Sequence, residues 1–176
     1  MTIAASEIAR IIVERSSRFG LRGSNVFFLM ENVSWGLFRW GECDLLVASK
    51  ALYLTDIEIK VSISDLRADF VKRKWDSEIR EGKSFLKDIK YHYYAIPMEL
   101  KDRAIPIIEE CRPNSGIIVV RKTLVGDGPS AYYTEGCQIK KQAKANGKAK
   151  PMKEKNLLNL ARLSMFRYWR NDEDKK

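Results

Sequence analysis

Apolar residues along this chain recur with two periods, and the switches between them outline its elements. Ile8, Ile11, Ile12 and Phe19 fall at helical spacing, which predicts an amphipathic helix over 2–19 that stops where Gly20 can turn left-handed. Three β-rich runs follow at 25–30, 34–40 and 44–48, separated by turn formers such as Asn32 and Gly41, as in an antiparallel meander. Residues 52–61 form the longest strand candidate, which gives way to a charged helix with Ser64 as its cap. A Tyr-rich strand is expected over 90–96, then a helix over 98–110 that Pro106 should distort. Residues 116–120 are a continuous apolar strand of the kind buried on both faces, and 131–139 a weaker strand. Strand and helix alternate through this stretch, the signature of an α/β fold.

Past this point the pattern changes. Residues 140–155, KKQAKANGKAKPMKEK, hold little that could be buried and read as a flexible basic linker. Leu157, Leu158, Leu160, Ala161, Met165, Phe166 and Trp169 then form one face of a short helix, opposite Arg162, Arg167 and Arg170. The chain therefore divides into an α/β domain over 1–139 and a basic extension over 140–176.

Charge sharpens that division. The net charge is +9, and residues 138–176 carry twelve Lys/Arg against four Asp/Glu, so +8 of it sits in the tail. Such asymmetry is the footprint of a polyanion-binding extension, although a basic tail can also merely solubilise a chain. Lys140, Lys141, Lys144 and Arg167 are its candidate phosphate contacts. No apolar run approaches the roughly 20 residues of a membrane helix, and the first residues lack the pattern of a cleaved leader, which reads as a cytoplasmic protein with no membrane partner. Cys43, Cys111 and Cys137 are far apart and match neither a zinc site nor a disulfide framework.

Candidate chemistry comes from parity. If 44–48 and 53–61 are the arms of a hairpin turning near Ala51, with Asp44 opposite Glu58, one face receives Leu45, Val47, Tyr53, Ile57, Ile59 and Val61. The other receives Asp44, Asp56, Glu58 and Lys60. Carboxylates placed across a ladder repel, so something positive should sit between them. A hard cation such as magnesium would find oxygen ligands in Asp44, Glu58 and the backbone carbonyl of Ile59. Lys60, on the same side, could position or deprotonate an attacking water or stabilise charge on a phosphate. The same alternation also suits an outer strand face whose Lys60 only neutralises its neighbours.

The order Asp44, thirteen residues, then Glu58-Ile59-Lys60 resembles the core of the PD-(D/E)XK nuclease superfamily. The flanks are similar to its MmcB-like DNA-repair branch: Ser62, Asp65, Arg67 and Asp69 after the strand motif, then Lys74-Trp75, Tyr93-Tyr94-Ala95-Ile96-Pro97 and Ser115-Gly116-Ile117-Ile118-Val119. Cys43 stands where the Pro of the name would be. The resemblance spans about 40–121 and implies a restriction-endonuclease-like core, a central mixed β-sheet flanked by helices. It also implies magnesium or manganese as cofactor, DNA before RNA as substrate, and Asp44, Glu58 and Lys60 as the catalytic set.

Ser62, Arg67 and Lys74 would touch nucleic acid in that reading, while Asp65 and Asp69 suit the first turn of a helix as dipole partners. Glu14, Glu31 and Glu42 are weaker metal candidates than solvated charges. His92 among tyrosines suits packing better than general-base work, and Trp75, Tyr91 and Tyr93 could stack on bases but suit the core. A Ser/His/Asp hydrolase is disfavoured by the lack of a Gly-x-Ser-x-Gly elbow, and no glycine loop for phosphate is present. Two alternatives to a metal-dependent nuclease stay open: a non-catalytic nucleic-acid-binding module of the same fold, and an adaptor or homodimer that docks through Leu157, Leu160, Phe166 and Trp169.

Overall fold

A turn at Lys50 and Ala51 folds two strands back on each other, and the sheet grows outward from that hairpin. In the structure, a computed structural model that describes residues 3–15, 26–33, 43–72, 88–126 and 131–173, the hairpin joins β2 (Cys43–Ser49) to β3 (Leu54–Ile59). Strand β1 (Val26–Val33) pairs with β2, and β4 (Ile89–Pro97), β5 (Gly116–Val125) and β6 (Tyr132–Lys141) continue the six-stranded sheet in chain order. β2 runs antiparallel to both β1 and β3; β3, β4 and β5 run parallel, and β6 returns antiparallel. The α/β class and the central mixed sheet flanked by helices are thus as the sequence led us to expect. Residues 34–40, expected to hold a strand, lie outside the described residues.

Parallel neighbours need crossovers. Helix α2 (Ile63–Phe70) follows β3, and a 3₁₀ turn (Met98–Leu100) leads into α3 (Lys101–Cys111) between β4 and β5. α3 runs through Pro106. The cap of α2 is Ser62, not Ser64 as the pattern suggested: Ser62 is extended (φ −148°, ψ 160°) and its hydroxyl accepts the Asp65 N–H at 3.1 Å. Position 62 wins because the chain leaves extended backbone there, which is what an N-cap requires.

The two faces follow the alternation of β2 and β3. Leu45, Val47, Ile57 and Ile59 join Ala95, Ile118 and Val120 on one face, sealed by Ile8, Ile11 and Ile12 of α1 (Ala5–Arg15). On the other, Leu66 of α2 with Ala104 and Ile108 of α3 covers Tyr94, Ile96, Ile117 and Val119. Farther along, Met152 and Leu160 cover Leu46, Ala48, Leu54 and Ile89.

That last cluster corrects the reading of 140–155 as a flexible linker. Lys140 and Lys141 belong to β6, and the residues beyond form a strap tied to the sheet. Lys144 N–H donates to Asn114 C=O at 2.9 Å, Asn146 N–H to Lys90 C=O at 2.9 Å, and Met152 N–H to Leu52 C=O at 2.8 Å. Ala143, Ala149 and Met152 of the strap are buried, and the two alanines are small side chains that a hydropathy pattern discounts. The strap passes close over the start of β5, where a Cβ on Gly116 would lie 2.2 Å from the Tyr93 ring and 2.7 Å from the Ala143 nitrogen. Helix α4 (Glu154–Glu173) follows the strap, with Leu160 buried but Leu158 71% exposed and Met165 64% exposed, so the expected apolar stripe is only partly used. No described helix is long and apolar enough to cross a membrane.

Candidate active site

The hairpin register decides where the charges meet. Leu45 pairs with Ile57 and Leu46 with Asp56, so one further step sets Asp44 against Glu58 at the end of β3. Asp44, half-buried, bends toward the next residue, and its Oδ2 accepts the Ile59 N–H at 2.7 Å. In extended backbone the N–H and C=O of one residue leave the same edge of the strand, which turns the Ile59 carbonyl toward Asp44 as well. Lys60 hands its own N–H to Ala95 C=O at 2.9 Å, on the β4 side.

Glu58 and Lys60 are both buried, and the Lys60 ammonium lies 2.8 Å from Glu58 Oε2 and 3.4 Å from Asp69 Oδ1. Asp69 projects from the last turn of α2 and is fully buried, with Oδ2 accepting the Tyr94 hydroxyl at 2.9 Å and Lys72, half exposed, 3.1 Å from Oδ1. Tyr94 stands beside Glu58 in the parallel register of β3 and β4. Of the two readings open for Asp69, the first-turn acid is therefore excluded. Asp65 occupies the first turn, and Asp69, three residues after the buried Leu66, shares that residue's core-facing stripe.

Electrostatics fixes the state of Lys60. Burial by itself, the largest single influence, would lower its pKa, but the joint pull of Glu58, Asp69 and Asp44 outweighs it and holds the pKa above the ordinary lysine value. In the metal-free protein that pull favours the ammonium form of Lys60. Tyr94 is likewise raised, by burial first and then by the Asp69 carboxylate, and stays a neutral donor.

Asp44, Glu58 and Asp69 together bring three carboxylates, with Lys60 as the buried cation among the described residues. Hard carboxylate oxygens in excess suit a hard divalent cation. The candidate ligands are Asp44, Glu58 and the Ile59 carbonyl, since Asp69 is turned to Lys60, Lys72 and Tyr94. Among the described residues no three His, Cys, Asp or Glu side chains converge on one point, so a backbone oxygen or water would have to complete the set.

Beside this cluster a cavity of about 700 Å³ opens between the start of α2 and the 3₁₀ turn, lined in part by Ser62, Ser64, Arg67, Glu99 and Arg103. Ser62 and Arg67, both candidate nucleic-acid contacts, are brought together there with Arg103, which sequence reasoning passed over. Lys140, Lys141 and Lys144 are not: Lys141 pairs with Ile117, which is level with Tyr94 and Glu58 but leaves Lys141 on β6, three strands across the sheet from Glu58. Glu14 sits on α1 over the opposite face, 2.8 Å from Arg10, and Glu31 pairs with Leu45 on that same face. Glu42, Lys74, Trp75 and the side chain of Arg167 lie outside the described residues.

No family model and no curated protein matches the sequence. A solved structure described as a protein of unknown function from Silicibacter pomeroyi is similar to it, with a TM-score of 0.58 at 19% identity, covering 99% of this chain and 95% of that one. At that identity the likeness speaks for the shared fold over the full described length, strap and α4 included.

Proposed function

We propose that this protein is a metal-dependent nuclease that hydrolyses DNA phosphodiester bonds, of the PD-(D/E)XK kind. One observation carries the reading: the hairpin register sets Asp44 against Glu58, with the Lys60 ammonium 2.8 Å from Glu58 at the open end of the strand. Magnesium or manganese held by Asp44, Glu58 and the Ile59 carbonyl would supply Lewis-acid polarisation of the phosphate and a water of lowered pKa. Lys60 contributes a positive charge, which favours the transition state as negative charge gathers on the phosphoryl oxygens. Glu58 fixes the direction of that ammonium, and Asp69, itself held by Tyr94, restrains it from the α2 side. Arg67, Arg103 and the Ser62 hydroxyl can hold a neighbouring phosphate in the adjoining cavity.

A second reading has its own support. Lys60 is 3% exposed and closed between Glu58 and Asp69, the arrangement of a self-neutralised buried cluster in a non-catalytic DNA-binding module. Incubation with single- and double-stranded DNA and with RNA, in magnesium and in manganese, separates the two. The nuclease reading expects metal-dependent products that vanish in Asp44→Asn; no products on any substrate would leave the binding module.

A further inference from the structure

At the far end of the parallel strands lies a second cavity, of about 580 Å³, walled by the start of β4, the turn between α3 and β5, and the strap. His92 and Ser115 form its polar floor, with Asp56 behind them on the neighbouring strand β3. Asp56 pairs with His92 in the register of β3 and β4, and His92 Nε2 lies 3.4 Å from Asp56 Oδ2. The other ring nitrogen, Nδ1, is 2.9 Å from the Ser115 hydroxyl. His92 and Ser115 are 7% and 6% exposed, yet both line the cavity. A hydroxyl and an imidazole held from behind by a carboxylate form a preset polar floor, which loses little entropy when a ligand arrives.

The walls have one sign of charge. Lys90, Arg112, Lys144 and Lys148 line the cavity, and among the described residues no carboxylate does. The two strap lysines are not there by chance of a loose loop. Asn146 fixes the strap by donating its N–H to Lys90 C=O and its side-chain amide to Ile89 C=O at 3.1 Å, while its Oδ1 accepts the Lys148 N–H at 3.0 Å. Lys144 is pinned through Asn114, and buried Ala143 and Ala149 anchor both flanks. Ile89, Pro113 and Ala145 supply an apolar side. A volume in the range of small-molecule sites, closed on three sides, suits a single phosphoryl group with a small body better than a strand of nucleic acid passing through.

We propose that this cavity binds a small phosphomonoester, its phosphate held by Lys144, Lys148 and the Ser115 hydroxyl and its body against the apolar wall. The site is independent of the nuclease reading, and the titration is run in EDTA so that divalent-metal binding at Asp44 and Glu58 plays no part. Isothermal titration at low ionic strength uses deoxyadenosine monophosphate, inorganic phosphate and deoxyadenosine as probes. The nucleotide and phosphate are expected to bind and the nucleoside not; tighter binding of the nucleotide than of phosphate supports the contact of its body, and equal binding overturns that part of the proposal. Lys144→Ala with Lys148→Ala, both exposed positions, should weaken the nucleotide about tenfold or more at unchanged Tm. Ser115→Ala should weaken it as well. Failure of nucleotide and phosphate alike to bind, or unaltered affinity in the double-lysine variant, overturns the proposal.

Discussion

The Lys60 ammonium lies 2.8 Å from Glu58 Oε2, with the two side chains 3% and 2% exposed, so neither charge has water to fall back on. Deleting one partner of such a pair leaves the other buried without compensation, at a cost of about 3–5 kcal/mol. Lys60→Met should therefore be markedly less stable at neutral pH, because Glu58 loses the Lys60 cation and Asp69 is left with the half-exposed Lys72. Adding Asp69→Asn removes one of the two carboxylates that faced Lys60 and should restore part of the loss while leaving Asp44 and Glu58 intact. If Lys60 is catalytic, the folded double variant still binds metal and DNA but cuts orders of magnitude more slowly. Full cleavage by that double variant would remove Lys60 from the mechanism.

Asp44→Asn tests the metal with less risk to the fold. An Asn side-chain oxygen can still accept the Ile59 N–H that Asp44 Oδ2 accepts at 2.7 Å, so the metal-free protein should melt near the wild type. Magnesium or manganese at a hundred times its Kd should stabilise the wild type by about 2.7 kcal/mol and the variant hardly at all. An equal rise in melting temperature for both proteins would place the ion elsewhere.

Arg67 and Arg103 are exposed and flank the cavity beside the cluster, so they can be removed without opening the core. Each lost phosphate contact lowers the slope of log affinity against log salt by about 0.9. Arg67→Ala with Arg103→Ala should thus flatten the slope by roughly two contacts' worth, about 1.8, at unchanged stability. Fluorescence anisotropy across a salt series reads this directly, and an unchanged slope would move the DNA path away from α2.

Much of this is legible in the sequence because strands have a period of two. Parity alone put Asp44, Asp56, Glu58 and Lys60 on one face, and the observed pairing of Leu45 with Ile57 is that register. The partners that hold those charges were harder to read. Asp69 comes from a helix and Tyr94 from a parallel strand on the other side of a crossover, and nothing local ties 69 to 94. The one usable signal was the spacing of Leu66 and Asp69, three apart on an apolar stripe. Ser115 and His92 are a similar case: the missing glycine elbow was an argument about one local motif, while adjacent strands brought the hydroxyl and imidazole to 2.9 Å without it. The strap was misjudged because its anchoring uses backbone hydrogen bonds and alanines, which leave no trace in hydrophobic periodicity.

Gly116 and the strap give a fourth prediction. A Cβ there would meet the Tyr93 ring at 2.2 Å and the Ala143 backbone nitrogen at 2.7 Å, and the second contact has no flexible end to yield. Gly116→Ala should destabilise by about 1–3 kcal/mol or more, the usual cost of overpacking, and speed exchange of the Lys144 and Asn146 amides, which the strap's hydrogen bonds protect. By the same logic, cutting the chain after residue 139 removes the buried Ala143, Met152 and Leu160 and should compromise folding, where a true linker would be lost harmlessly. Wild-type amide exchange in Gly116→Ala would show that the strap sits elsewhere in solution.

The alkaline limb of stability reports on Tyr94. Burial, and then the Asp69 carboxylate 2.9 Å from its hydroxyl, raise the Tyr94 pKa in the folded chain, whereas in the unfolded chain it titrates near 10. Below about pH 10 both states keep the proton and the contribution of the hydroxyl is complete. Above it the unfolded state releases the proton first, so stability falls as pH rises, by about 1.4 kcal/mol per pH unit for this one group until the folded value is reached. Lys60 has the same sign, since its folded pKa is also raised, and its contribution fades over the same alkaline window. Tyr94→Phe deletes one of these two protons. The variant should be less stable at pH 7, where Asp69 loses a donor at a cost of about 1–3 kcal/mol. Its stability should then decline less steeply above about pH 10 than the wild type's, so that the two curves converge. Urea denaturation at steps from about pH 9 to pH 12 measures both slopes, and parallel curves would show that the Tyr94 hydroxyl is not held against Asp69.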